Sequence, residues 1–285
     1  MQTNHQHRQL RGDLLVLIAV FCVLGGYLAY RTKTYLNQTT IQQTTTMRTG
    51  PGIEYRGTME LPKGTRVAVI RSKYEWLKVT TSANQQGWVP AWKLPAKYRP
   101  VIRSLKNATI VIDPGHGGSD SGALAVHGQM EKTYTLKFAR MVAAKLRAKG
   151  AKVYLTRDSD RFVSLKARPA LAKRVHANLF ISFHFDSSPD ENEASGFTTY
   201  YYHRGPSLQL AQDVNHQMRH LPITDKGSRF GNFLVIRDNT VPAILIEGGY
   251  INTSHDFQYI RSPRYRNVMT SDVVTGVQHF IETNH

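Results

Sequence analysis

The chain has 285 residues, room for one medium domain and a smaller companion, each with its own core. Its formal net charge of +17 points to an anionic partner, while the absence of any nucleic-acid-binding motif among dispersed lysines and arginines sets DNA and RNA aside. A single cysteine, Cys22, excludes an internal disulfide. The first predicted element is the uncharged stretch Leu14–Tyr30, near the shortest length that crosses a bilayer as a helix, with Arg8 and Arg11 before it and Arg31 and Lys33 after. No small-x-small cleavage site separates it from Arg31, which favours reading residues 1–31 as a cytoplasmic tail and retained transmembrane anchor, with a cleaved signal segment as the alternative. A polar linker rich in Thr and Gln follows over 32–45. Alternating runs at Arg66–Ile70 and Trp76–Val79, with turns at Gly50-Pro51-Gly52, Pro62-Lys63-Gly64 and Gln86-Gly87, predict a small all-β barrel over 46–94. Trp76, Trp88 and Trp92 are candidates to stack on a ligand, with at least two of them expected in the core. Pro95 and Pro100 mark 95–107 as a second linker.

From 108 to 285 strand and helix signals alternate. Strands are expected at Thr109–Asp113, Lys152–Thr156, Leu179–His184, Phe197–Tyr202, Phe233–Ile236 and Ala243–Glu247. Helices are expected at Lys132–Lys149, Leu165–His176, Ser207–Leu221 and Arg264–Glu282, the first carrying an apolar stripe through Leu136, Ala139, Val142 and Leu146 and stopped by Gly150. Such alternation implies an α/β fold with helices on both faces of a central sheet.

Chemistry-bearing side chains sit at the ends of these elements. Ile110-Val111-Ile112-Asp113-Pro114-Gly115-His116-Gly117-Gly118 is an apolar strand running into a tight turn that presents His116 at the sheet's rim. Glu131 opens the first helix, His184 ends the run Leu179–Phe183, and Glu247 ends Val241–Ile246 ahead of Gly248-Gly249. Two histidines and a carboxylate form the ligand set of a catalytic zinc, and a further, unligated carboxylate can act as its general base. Spacing alone does not choose that reading. A histidine after a strand is commonly a hydrogen-bonded structural residue, a glutamate at a helix start favours the helix dipole, and no compact H-E-x-x-H pattern is present.

Five blocks taken together resemble the zinc-dependent N-acetylmuramoyl-L-alanine amidases, the amidase-3 family of bacterial cell-wall hydrolases. They are Ile112–Gly118 with Gly122-Ala123, Glu131, Ser182-Phe183-His184-Phe185-Asp186-Ser187, Phe233–Arg237, and Pro242–Asn252. The resemblance spans roughly Ala108 to Phe280 and makes the central sheet mixed. It implies that His116, Glu131 and His184 ligate Zn2+, that Glu247 is the catalytic carboxylate, and that the substrate is peptidoglycan. Two positions depart from the family pattern: Asp186 stands where Asn is usual, and Tyr250 where Phe is usual. Some relatives carry an occluding helix after the second histidine, but Phe185–Ser195 is too short for one, so an open site is expected. The pattern from Met47–Gly52 through Gly64-Thr65 and Trp76–Val79 to Gly87-Trp88-Val89 resembles bacterial Src-homology-3-type domains, commonly wall-targeting modules. Anionic cell-wall polymers then become the expected partner of the basic charge. The protein is expected to act as a monomer, membrane-anchored with its catalytic region outside the cytoplasm, or secreted to the wall. His127 could contact substrate. The competing readings are a catalytically inactive wall-binding protein and a zinc peptidase acting on another peptidoglycan bond.

Overall fold

The computed structural model describes residues 20–27, 37–52, 55–73, 76–95, 98 and 104–283. They form two compact units, divided between Tyr98 and Arg99. Of the expected anchor Leu14–Tyr30, only residues 20–27 are described; they are helical and exposed, and the remainder lies outside the described residues. Among the described residues, no helix is long and apolar enough to cross a membrane.

The first unit is all β. Its strands are β1 (Gln38–Thr40), β2 (Thr45–Arg48), β3 (Gly57–Leu61), β4 (Arg66–Lys73), β5 (Trp76–Thr81) and β6 (Gln86–Pro90). They pair antiparallel in the order β1-β4-β5-β6-β2-β3 around Ile41, Met47, Leu61, Val67, Leu77, Val79 and Val89. Two expectations need correction here. The segment 32–45 is not wholly linker, because Gln38–Thr40 pairs with β4 and Ile41 is a core residue. A threonine-rich stretch that reads as polar is also β-branched, and it extends readily along a neighbouring strand. The three tryptophans offer no open face for a ligand: all are buried, Trp76 meets Trp92 edge-on at 6.2 Å, and the Arg71 guanidinium lies 5.2 Å over Trp88.

The second unit contains β7 (Thr109–Pro114), α1 (Glu131–Ala148), β8 (Lys152–Leu155), α2 (Ala167–Arg174), β9 (Leu179–Asp186) and β10 (Phe197–Tyr201). It continues with α3 (Pro206–Met218), β11 (Asp225–Phe230), α4 (Leu234–Arg237), β12 (Ala243–Tyr250), α5 (Ser254–Ile260) and α6 (Pro263–Thr283). The sheet runs β11-β10-β12-β9-β7-β8. β8, β7, β9 and β12 are parallel, while β10 lies antiparallel to β12 and takes β11 with it, so the sheet is mixed. Strand alternation feeds two cores. Ile110, Ile112, Ile181, Phe183, Ile244 and Ile246 face α1, α3 and α6, whereas Val111, Phe180, Ala243 and Leu245 face α2 and α4. Burial on both faces explains why these strands read as unbroken apolar runs.

The strand expected at Phe233–Ile236 is instead the helical turn α4, capped by Phe233. A four-residue apolar run fits a buried helical turn as well as a strand, and here Val235 and Ile236 fill the core beneath the sheet. β11 and α5 lacked a sequence signal. β11 (DKGSRF) is a half-exposed edge strand, and edge strands need no apolar run.

Candidate metal centre

β7, β9 and β12 end side by side, and their ends bring the sheet-borne candidates together. Glu247 and His184 are direct Cα partners across β12 and β9. After β7 the turn is fastened to β9 by the Gly115 amide, which donates to the Phe183 carbonyl at 3.0 Å. Gly115 is required by proximity, since a Cβ there would lie on the His184 ring. His116 follows with φ of 58°, a left-handed conformation that a non-glycine residue adopts only when its surroundings hold it there.

Glu131, the first residue of α1, stands between the two imidazoles. Its Oε2 lies 3.0 Å from His116 Nε2, and its Oε1 lies 3.2 Å from His184 Nδ1. The same oxygens accept from the Ala123 and Phe185 amides at 2.9 and 3.0 Å, which fix the carboxylate in place. The three ligand atoms lie within 4.8 Å of one another. Glu131 is only 3% exposed, while the His116 and His184 side chains keep 23% and 19% open, so the cluster is reached from one side. Burial alone would raise the Glu131 carboxyl; hydrogen bonds and charge from both histidines overcome it and hold the group well below the carboxylate range. His116 is raised overall, because Glu131 and Asp120 outweigh burial. Asp120 Oδ1 accepts from His116 Nδ1 at 2.9 Å and from the Gly122 amide at 3.1 Å, which orients the ring with Nε2 toward Glu131.

Glu247 is 9% exposed, and its Oε2 is a buried oxygen with no hydrogen-bond partner. Burial, then the negative charges of Glu131 and Asp186, push its carboxyl well above the usual range. A buried carboxyl whose affinity for a proton is raised, set beside two imidazoles and a carboxylate, is a group suited to exchanging a proton with something in that pocket. The donor set fits a divalent zinc: two imidazole nitrogens and one carboxylate facing a common centre, with an unsatisfied acid beside them.

Several structurally important residues carried no sequence signal. Buried Arg168 donates to Asp113 Oδ1 at 2.9 Å, the Pro114 carbonyl at 2.7 Å and the His116 carbonyl at 3.0 Å. Buried Arg157 donates to the Pro114 and Gly115 carbonyls at 3.1 and 2.7 Å. Asp113 is further held by Thr156 Oγ1 at 2.5 Å and Ser182 Oγ at 2.8 Å. Asp186 and Tyr250 are Cα partners at the rim, and the Tyr250 hydroxyl accepts from Lys226 Nζ at 3.0 Å. His127 lies exposed in the turn between the bridged residues Leu124 and Met130. Among the described residues of this unit, the exposed large apolar side chains are Leu124, Met130, Phe162, Leu165, Phe230 and Phe233. Leu124 and Met130 are chain neighbours of Ala123 and Glu131, the Phe162 backbone packs against Gly118, two residues after His116, and Phe233 meets Tyr200 edge-on at 5.1 Å. No helix forms between His184 and β10; the segment is a loop pinned by Asn252, whose Nδ2 donates to the Ser188 carbonyl at 2.8 Å.

Comparison with known proteins is consistent across sequence and fold. A family model described as N-acetylmuramoyl-L-alanine amidase matches residues 110–279, and one described as bacterial SH3 domain matches residues 44–95. A protein named probable cell wall amidase LytH from Staphylococcus epidermidis is 35% identical over 254 residues, covering 86% of this chain and 85% of its own. Its namesake from Staphylococcus aureus is 34% identical over 247 residues, covering 84% and 82%. Among solved structures, an N-acetylmuramoyl-L-alanine amidase from Clostridium difficile 630 is 33% identical with a TM-score of 0.60, covering 62% of this chain and 97% of that one. The amidase AmiC2 of Nostoc punctiforme is 36% identical with a TM-score of 0.58, covering 61% and 96%.

Proposed function

The chain belongs to the N-acetylmuramoyl-L-alanine amidase family and is a peptidoglycan amidase, and we propose that it hydrolyses the amide joining the lactyl group of N-acetylmuramic acid to the L-alanine of the stem peptide, with His116, Glu131 and His184 holding zinc and Glu247 moving the proton. The observation that carries this reading is the orphaned, buried Glu247 oxygen beside three ligand atoms within 4.8 Å of one another. Zinc in such a set supplies Lewis-acid polarisation of a carbonyl and makes an adjacent water more acidic. Glu131 does the holding: its two amide hydrogen bonds keep both oxygens facing the imidazoles. Asp120 fixes the His116 ring, leaving Nε2 to ligate. Glu247 takes the proton of the attacking water and delivers it to the leaving alanine nitrogen. Its raised affinity for a proton suits the second half of that task, because an amine leaves only once protonated.

The basic charge fits a wall of anionic polymers, and the 44–95 match fits a targeting module. Within the same reading, Leu14–Tyr30 tethers the enzyme to the membrane and the catalytic unit works outside the cytoplasm, as a monomer. The chain then divides into an anchor segment over 1–31, a polar linker that ends before β1, a β unit from β1 to residue 94, a second linker over 95–107 and the catalytic unit over 108–285.

Purified protein digesting isolated sacculi tests the reading. Wild-type enzyme should contain stoichiometric zinc and free L-alanine amino termini while leaving glycan strands uncut, and a chelator should abolish that activity. Glu247→Ala should keep its zinc and lose about 10²–10⁴-fold in rate. Fully active Glu247→Ala protein would remove Glu247 from the chemistry. New amino termini at residues other than L-alanine would favour the peptidase alternative.

A further inference from the structure

Beyond Glu247, β12 leads to a cation that rests on an aromatic ring and a hydroxyl rather than on a carboxylate. Lys226, at the start of β11, sends its ammonium 4.2 Å over the Tyr250 ring and 3.0 Å from the Tyr250 hydroxyl. It is half-buried, and among the described residues no carboxylate lies within ion-pair distance of it. Nearby Asp186, the Cα partner of Tyr250, turns its Oδ1 to the Ser187 amide at 2.9 Å instead. An ammonium has three donors, and one phenol oxygen occupies one of them. Among the described residues, the other N–H groups have no further hydrogen-bond acceptor. Gly196 keeps the path of the lysine stem clear, since a Cβ there would press on Lys226 Cγ at 2.9 Å.

Which part of the substrate passes this cation follows from the proton's destination. Under the proposed function, on which this inference rests, Glu247 protonates the leaving amine, so the stem peptide lies on the Glu247 side of the scissile bond. Tyr250 is three residues further along the same strand, with a bulge between. The glycan side carries no free acid once the lactyl group is in amide linkage; the acids near the bond are those of the stem peptide. An extended chain covers about 7 Å in two residues, a reach that suits an acid on the second residue to a cation held a few residues further along β12.

We infer that Lys226, presented by the hydroxyl and ring of Tyr250, binds the free carboxylate of the second stem-peptide residue, so that the enzyme discriminates against peptides in which that carboxylate is amidated. The contact is a charge-assisted hydrogen bond that the amide cannot reproduce. Lys226 and Tyr250 are then specificity residues, and they take no part in proton transfer.

The test uses the full chain with two muropeptides that differ only in a free or amidated carboxylate at the second residue. Wild-type kcat/KM should favour the acid roughly 10- to 100-fold. Lys226→Met should lose that preference by falling on the acid while keeping its rate on the amide, with zinc content and melting temperature unchanged. Tyr250→Phe, which keeps the ring and loses the hydroxyl, should fall in the same selective direction by less. Equal losses on both muropeptides, or no preference in the wild type, would overturn the inference and leave the amidase reading standing. A loss seen only on sacculi bearing phosphodiester polymers would also overturn it, by assigning the anion to the wall polymer. Wild-type protein that cleaves neither muropeptide would defeat the amidase reading, and this inference with it.

Discussion

The side chain of Arg168 shows how a residue remote from the chemistry can set its geometry. Its guanidinium is buried, pairs with the buried carboxylate of Asp113, and caps the carbonyls of Pro114 and His116, so it holds both ends of the turn that carries a metal-ligand candidate. Breaking a buried pair by deleting one partner costs more than the pair contributes, because the remaining charge is left desolvated. Arg168→Met should therefore destabilise the protein by about 3–5 kcal/mol in chemical denaturation. It should also weaken zinc binding in competition with a chelator, since the left-handed His116 backbone loses its main support. Stability equal to wild type would mean that Thr156 and Ser182 alone satisfy Asp113.

At the level of elements, α3 and α6 meet where Gly276 allows it. A Cβ at that position would lie 2.5 Å from Val214 Cα and 2.8 Å from the Asp213 carbonyl oxygen, both backbone atoms that cannot turn aside. In an isolated helix Gly→Ala gains about 1 kcal/mol, whereas overpacking a tight contact costs about 1–3 kcal/mol. With backbone on the opposing side the second effect wins. Gly276→Ala should lower the melting temperature by several degrees, measured by calorimetry, and a rise would show that the helices separate freely. The same contrast between local and tertiary forces decided what the sequence revealed. β7, β9 and β12 were legible because strands buried on both faces must be continuously apolar, and their polar end residues marked the site. Phe233–Ile236 reads as a strand because four apolar residues suit a strand or a helical turn equally, and only the core beneath them decides for the turn. β11 was invisible because an edge strand is held by its neighbour's backbone and needs no pattern of its own. Arg157, Arg168 and Lys226 were missed for a different reason. Their partners are loop carbonyls and residues far along the chain, and no spacing rule encodes such contacts.

The whole molecule carries a net charge of +17, an excess far larger than a zinc site or a few carboxylate contacts would require. Charge of one sign dispersed over a surface acts collectively, drawing an oppositely charged polymer from about a Debye length away, roughly 10 Å at 0.1 M salt and 3 Å at 1 M. Apolar contacts respond in the opposite sense, because salting-out ions strengthen them. The two contributions to wall attachment can therefore be separated by salt. Glu247→Ala protein, which should bind without digesting, is expected to release from intact sacculi as sodium chloride rises from about 0.05 to 0.5 M, with a pull-down as the readout. Sacculi stripped of their anionic polymers should hold less protein at low salt and show a shallower decline. If the decline were the same on both, the charge would be answering the stem peptides rather than the wall polymers. If attachment did not respond to salt at all, binding would rest on shape and apolar contact, with exposed side chains such as Phe162 and Phe233 as its first candidates.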